Sequence, residues 1–305
     1  MAIEVNEKTS LIVGTGAMAC LFAARLAAVG ANVVVLGTWK EGLQALRESG
    51  VRLTGSDGSE KSYPVQVITR PQECSGVRFA LVLVKSYMTA HASKQLADCL
   101  AEDGLALTLQ NGAGNYESLV KVLGARRVAL GITTTGATLL EPGWVRQSGE
   151  GLISLGAHPA LTLMAGWLRE AGFVIEDAPD TTALLWGKLV INAAINPLTA
   201  LLRVPNGELL RRTTAHSLMK AAAREAAAVA MAQGIRLPFP DPVVAAESTA
   251  RRTADNISSM LQDVQRGAVT EIDAICGVIV QAGEHYNIPT PINRTFWQLV
   301  KALSG

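Results

Sequence analysis

Leu11-Ile12-Val13-Gly14-Thr15-Gly16-Ala17-Met18-Ala19-Cys20-Leu21 is the stretch on which the fold turns. Leu11–Val13 reads as a short buried strand, and Ala17–Val29 reads as a helix. Between them, Gly14-Thr15-Gly16-Ala17-Met18-Ala19 fits the spacing G-x-G-x-x-G/A, closed by alanine. The first glycine permits a tight turn, and the second lets backbone approach a pyrophosphate. The small Ala19 lets the helix pack close to the strand. A helix N-terminus at that turn offers N–H groups and the positive end of its dipole to phosphates. A bare glycine spacing carries little weight. Here a strand precedes it, a helix follows, and a second strand, Val33–Leu36, ends about twenty residues on. A dinucleotide is therefore the expected ligand.

Outward from this unit the first half keeps alternating. Phe79–Val84, Leu105–Leu109 and Val128–Gly131 read as further buried strands, with helix-like segments such as Thr89–Leu100 between them. Strand–helix alternation implies a parallel, doubly wound sheet. Asp57-Gly58 suits the turn of a small hairpin inserted after the second helix, and Trp144–Ser148 and Leu152–Leu155 read as additional strands. From about Thr181 the chain becomes rich in Ala and Leu at helical spacing. Ala183–Asn196, His216–Gln233, a stretch after Pro242, Glu271–Tyr286 and Pro291–Ala302 are the expected helices. The expected class is α/β: an N-terminal Rossmann-type sheet domain, residues 1–180, then an all-helical domain, residues 181–305. Ala178-Pro179-Asp180 punctuates the boundary.

Bulk properties exclude several alternatives. At 305 residues the chain is long for one core, which favours two domains. Charged residues make up 17%, the formal charge is +1, and the basic residues cluster only as pairs such as Arg126-Arg127. That is no electrostatic footprint for nucleic acid. The apolar stretch Leu11–Leu36 contains Arg25 and is split by the glycine turn, so it suits neither a membrane span nor a signal peptide. None of Cys20, Cys74, Cys99 and Cys276 lies in a C-x-x-C pair, which fits free thiols in a reducing cytoplasm. No metal site is expected. The apolar helical half is compatible with a homodimer interface and equally with a monomer's core.

In such sheets ligands bind at the carboxyl ends of the strands. After the second strand come Gly37-Thr38-Trp39-Lys40. An NAD site usually places a carboxylate there; its absence favours NADP, with Thr38 and Lys40 as candidate 2′-phosphate contacts. Lys40 also reads as a solvated charge. Lys85 ends the run Leu81–Val84, and Gln110-Asn111-Gly112 ends the run Leu105–Leu109. Position makes Lys85 and Asn111 site candidates, against a surface lysine and a plain turn. The helix Trp186–Asn196 is more specific. Lys188, Asn192 and Asn196 fall at i, i+4 and i+8 on one face among apolar neighbours, where long polar side chains need partners. A snorkelling lysine with two satisfied asparagines is the structural alternative. Asn256, Ser258-Ser259 and Thr270-Glu271 form a later cluster that on spacing alone reads as helix capping and first-turn chemistry.

Taken together, these motifs resemble the ketopantoate reductase (2-dehydropantoate 2-reductase) family over essentially the whole chain. The matching pieces are Gly14–Ala19, Lys85, Gln110-Asn111-Gly112, Trp186-Gly187-Lys188 with Asn192 and Asn196, Pro205-Asn206-Gly207-Glu208, Ser258–Asp263 and Thr270-Glu271-Ile272-Asp273. The resemblance implies NADPH-dependent reduction of a small 2-keto acid to a 2-hydroxy acid in pantothenate biosynthesis. It makes Lys188 the proton donor, and places Asn192, Asn196, Asn206, Asn256 and Ser259 on the substrate. Asn111 is shared by substrate and cofactor, and Glu271 is a cofactor contact and catalytic partner. Ala137 sits where a further cofactor contact is expected, beside Gly14, Thr15, Gly16, Ala17, Met18, Ala19, Thr38, Lys40 and Lys85. One departure stands out: the family commonly carries an arginine where this chain has Thr38. A reductase of another 2-keto acid and a non-catalytic NADPH sensor are the competing readings.

Overall fold

The structure is a computed structural model and describes residues 3–55 and 57–303. It divides into two compact units: Met1–Gln110 with Asn115–Thr181, and Asn111–Gly114 with Thr182–Gly305. The short stretch Asn111–Gly114, which follows a strand of the first unit, groups with the helical unit.

The first unit contains, in chain order, β1 (Thr9–Val13), α1 (Ala17–Ala28), β2 (Asn32–Leu36), α2 (Lys40–Ser49), β3 (Val51–Thr54), β4 (Glu60–Tyr63), β5 (Gln66–Ile68), β6 (Val77–Val82), α3 (Thr89–Cys99), β7 (Leu100–Thr108), α4 (Asn115–Leu123), β8 (Val128–Thr133), β9 (Gly136–Glu141), β10 (Trp144–Gly149), β11 (Leu152–Gly156), α5 (Leu161–Glu170) and β12 (Val174–Ala178). The large sheet has the order β12-β11-β8-β7-β6-β1-β2-β5. Its six strands from β8 to β5 run parallel, and β11 joins β8 antiparallel. The sheet is thus parallel-dominated rather than wholly parallel. The chain builds β2 and β5 on one side of β1, then crosses to build β6, β7 and β8 on the other. That reversal puts a switch point between β1 and β6, where the carboxyl ends of the strands open a crevice.

Period-two alternation fills both faces. Ile12, Val33, Val35 and Leu81 pack with α1 and α5, while Leu11, Val13, Val34 and Val82 pack with α3 and α4. A second sheet, β4-β3-β10-β9, packs on α1. Its β3–β4 hairpin closes at Asp57-Gly58, where the Asp57 carboxylate accepts from the Ser59 N–H at 2.9 Å.

The second unit comprises α6 (Thr181–Leu202), α7 (Glu208–Arg211), α8 (Thr213–Ala232), α9 (Pro242–Arg252), α10 (Ser259–Gln265), α11 (Val278–Tyr286) and α12 (Pro291–Leu303). Only the first residue of α6 falls in the first unit. By composition α6 is long and apolar enough to cross a membrane, yet 67% of its apolar window is buried inside the protein, as a core helix is. It runs past the expected end at Asn196 and through Pro197, because Leu198, Thr199 and Ala200 are buried and hold the chain in place. The segment expected to open a helix at Glu271 instead forms a π-turn, Asp273–Gly277, leading into α11. Such turns cluster at functional sites.

Candidate active site

In the first unit the glycine turn is built around contacts that a side chain would block. Gly14 has φ +130°, and a Cβ there would stand 3.0 Å from the Leu83 carbonyl. Its N–H donates to the Leu36 carbonyl at 2.8 Å, and the Leu83 N–H donates to the Val13 carbonyl at 2.9 Å. The ends of β1, β2 and β6 are thereby drawn together. Gly16 is different: it is exposed, and nothing lies within 4 Å of where its Cβ would be. It precedes α1 without any side-chain cap, and no acidic residue occupies the helix's first turn. Uncapped N–H groups beside an open glycine fit a phosphate-bearing ligand. Thr15 is buried, Ala17 and Met18 are partly buried, and Ala19 is buried against the sheet.

Thr38 and Lys40 are exposed at the β2–α2 junction, Lys40 as the first residue of α2. Gly37 beside them lies against the glycine turn, since a Cβ there would meet the Thr15 Cγ2 at 2.6 Å. Lys85 follows β6 and is partly buried. Ala137 lies on β9 in the small sheet, paired with Gln147 and packed against the layer that contains α1.

A buried network that sequence reading left without a role locks two of these strand ends. The Gln110 amide nitrogen donates to the Val84 carbonyl at 2.9 Å and to Thr89 Oγ1 at 2.8 Å. Its oxygen accepts from Thr108 Oγ1 at 2.9 Å, and Thr89 Oγ1 donates to Asn115 Oδ1 at 2.8 Å. Both amide protons are used, so Gln110 ties the end of β7 to the residue just before Lys85. A polar side chain two residues after Thr108, at the end of an apolar run, was the only signal for it.

In the second unit, α6 presents Lys188, Asn192 and Asn196 on one face. Lys188 and Asn192 are partly buried and Asn196 is 8% exposed. Among the described residues the side-chain amides of Asn192 and Asn196 have no protein partner. Burial pushes the Lys188 ammonium down to about 8, and the Glu271 carboxylate opposes that shift. Gly187 gives α6 its fit at this point, because a Cβ there would strike Pro238 Cγ at 2.6 Å.

The remaining expected residues arrive from distant parts of the same unit. Asn206 is 8% exposed, and its backbone N–H donates to the Asn256 carbonyl at 3.1 Å. Its amide nitrogen donates to Thr253 Oγ1 at 2.9 Å, while its amide oxygen is buried with no partner. Ser258 caps α10, its hydroxyl accepting from the Leu261 N–H at 3.1 Å, which is the capping role that spacing suggested. Ser259 opens α10 exposed, and Asn256 is exposed. Glu271 is buried ahead of the π-turn. The Asn111–Gly114 stretch docks on that turn: the Ala113 N–H donates to the Ala274 carbonyl at 3.0 Å, and a Cβ on Gly112 would meet Ala274 Cβ at 2.6 Å. The structure therefore groups Lys188 with Glu271, Asn206 with Asn256, and Asn111 with the turn after Glu271.

Asn206 Oδ1 is a buried polar atom without a partner, which is uncommon in folded proteins. Amides without protein partners beside an ammonium of lowered pKa are equipped to hold a small polar acid and pass a proton to it. With the glycine turn on a doubly wound sheet, these features define a two-unit, nicotinamide-dependent oxidoreductase. The comparisons with known proteins narrow the class. The pattern of the family described as ketopantoate reductase PanE/ApbA matches residues 10–160, and that of its C-terminal region matches residues 180–304. The 2-dehydropantoate 2-reductase of Archaeoglobus fulgidus is 36% identical over 299 residues, which cover 96% of this chain and 97% of that protein. A ketopantoate reductase crystal structure from Ralstonia eutropha JMP134 superposes with a TM-score of 0.90 at 31% identity, covering 97% of this chain and 98% of the other. A D-mandelate dehydrogenase solved with NADH and anilino(oxo)acetate also gives 0.90, at 26% identity, with the same coverage. The chain belongs to the ketopantoate reductase family.

Proposed function

We propose that the protein reduces 2-dehydropantoate to (R)-pantoate with NADPH, in the cytoplasm and as a step of pantothenate synthesis. The observation that carries this reading is the α6 face, where the Lys188 ammonium shares one side of the helix with two amides that have no protein partner among the described residues. The dinucleotide fits the first unit at open Gly16 and the uncapped start of α1. Gly14, Thr15, Gly16, Ala17, Met18 and Ala19 would hold its pyrophosphate. Thr38 and Lys40 would meet the 2′-phosphate, with Lys85, Ala137 and Glu271 as further contacts. When bound, the reduced cofactor supplies a hydride to the ketone carbon.

The protein's own part is the handling of charge and proton. Negative charge gathers on the ketone oxygen, and the Lys188 ammonium stabilises it and delivers a proton from Nζ. A lysine brought down to about 8 gives up that proton more readily than an ordinary one, and the Glu271 charge keeps it protonated at neutral pH. Asn111, Asn192, Asn196, Asn206, Asn256 and Ser259 bind hydroxyl, carbonyl and carboxylate groups without adding charge that would repel an acid.

A second reading has specific support. Thr38 stands where the family commonly has arginine, and the likeness to an NADH-bound D-mandelate dehydrogenase extends over nearly the whole chain. This reading is an NADH-dependent reductase of an aromatic 2-keto acid. Steady-state rates with 2-dehydropantoate, 2-ketoisovalerate, pyruvate and phenylglyoxylate, each with NADPH and NADH, separate the two. The highest kcat/KM is expected for 2-dehydropantoate with NADPH. Preference for phenylglyoxylate with NADH would establish the second reading, and tight NADPH binding without turnover would make the protein a sensor.

A further inference from the structure

A chain of buried hydroxyls links α6 to the start of α10. Thr199 Oγ1 donates to the Asn196 carbonyl at 2.9 Å, so its one proton is used. The 2.7 Å contact between Thr199 and Ser258 must then carry the Ser258 proton to Thr199 Oγ1. Ser258 Oγ in turn accepts from the Leu261 N–H at 3.1 Å. The direction is fixed throughout: Leu261 N–H to Ser258, Ser258 to Thr199, Thr199 to the Asn196 carbonyl. Thr199 is 0% exposed and Ser258 is 6% exposed, so water does not compete for these bonds.

The chain joins the two elements that carry substrate-facing groups in the proposal above. One end is the backbone of Asn196, next to Pro197, whose missing N–H removes a helical hydrogen bond at that point of α6. The other end is the cap of α10, adjacent to Ser259 and two residues after Asn256. A helix weakened by proline needs an external brace to keep its side chains in register. We propose that Thr199, acting through Ser258, is a positioning residue that holds the Asn192–Asn196 face of α6 in register with Asn256 and Ser259. It touches neither substrate nor cofactor. This inference rests on the functional reading above.

Thr199→Val keeps the shape and removes the hydroxyl. KM for the keto acid is expected to rise about tenfold, as for loss of one buried hydrogen bond with its partners stranded. The cofactor KM should stay within about twofold, since the cofactor contacts are placed elsewhere. Thr199→Ser should restore the keto-acid KM. A simple core brace would lower Tm and leave the KM values alone, and that result would overturn the proposal, as would failure of Thr199→Ser to rescue. If the valine variant does not fold, Ser258→Ala interrupts the chain at its middle hydroxyl and leaves Thr199 bonded to Asn196. It should raise the same KM, and an unchanged KM would overturn the proposal in that case. A wild-type protein that reduces no 2-keto acid would overturn the functional reading itself, and this inference with it.

Discussion

The proposed chemistry turns on a single ammonium. Burial lowers the affinity of Lys188 for its proton and Glu271 raises it, leaving a pKa of about 8. As the proposed proton donor Lys188 must be charged, so reduction should proceed at acidic and neutral pH and weaken as pH rises through about 8. With cofactor saturating, kcat/KM for the keto acid should fall about tenfold per pH unit above that point, since this ratio reports the acid of the enzyme–cofactor complex that meets the keto acid. A profile flat to pH 10 would show that Lys188 is not the titrating donor. The spacing of Lys188, Asn192 and Asn196 was legible in the sequence because helical periodicity places i, i+4 and i+8 on one face. The lowered pKa, and the lack of protein partners for two amides among the described residues, were not, because they depend on what packs around α6. Ser258 was read correctly as a cap, but its second bond, to Thr199, spans two helices and leaves no local trace.

Elements position these residues with different degrees of visibility. Six strands of the large sheet, β1, β2, β6, β7, β8 and β11, announced themselves as short apolar runs, whereas the edge strands β5 and β12, short and partly exposed, did not; the glycine turn fixed where β1 gives way to α1. The antiparallel entry of β11 left no signature, because strand direction is decided by pairing rather than composition. Proline ordinarily ends a helix, which is why α6 was expected to stop at Asn196; burial of the following turn overrides that preference. The π-turn after Glu271 and the docking of Gly112 on Ala274 are tertiary in origin and equally silent. Gln110 belongs to this scale because it fastens the end of β6 to the end of β7. Gln110→Leu should raise the cofactor KM about five- to tenfold with kcat little changed. Gln110→Glu should do the same despite its shape, since a carboxylate cannot donate to the Val84 carbonyl. A fluorescence titration giving wild-type cofactor affinity for both variants would remove this role.

At the scale of the whole molecule the proposed function divides its labour between the two units. The family's two patterns, residues 10–160 and 180–304, fall on the sheet unit and the helical unit respectively. The exception is Asn111–Gly114, a strand-end stretch that belongs with the helices. In the proposed reaction the sheet unit binds the dinucleotide and the helical unit supplies the proton and the polar contacts for the acid. Removing the donor should therefore separate binding from chemistry. The most direct test is Lys188→Ala, measured for NADPH affinity by fluorescence titration and for 2-dehydropantoate reduction at neutral pH. NADPH affinity should match wild type while kcat falls about 10²- to 10⁴-fold, the usual contribution of a positioned general acid. Wild-type kcat in this variant would contradict the account at its centre.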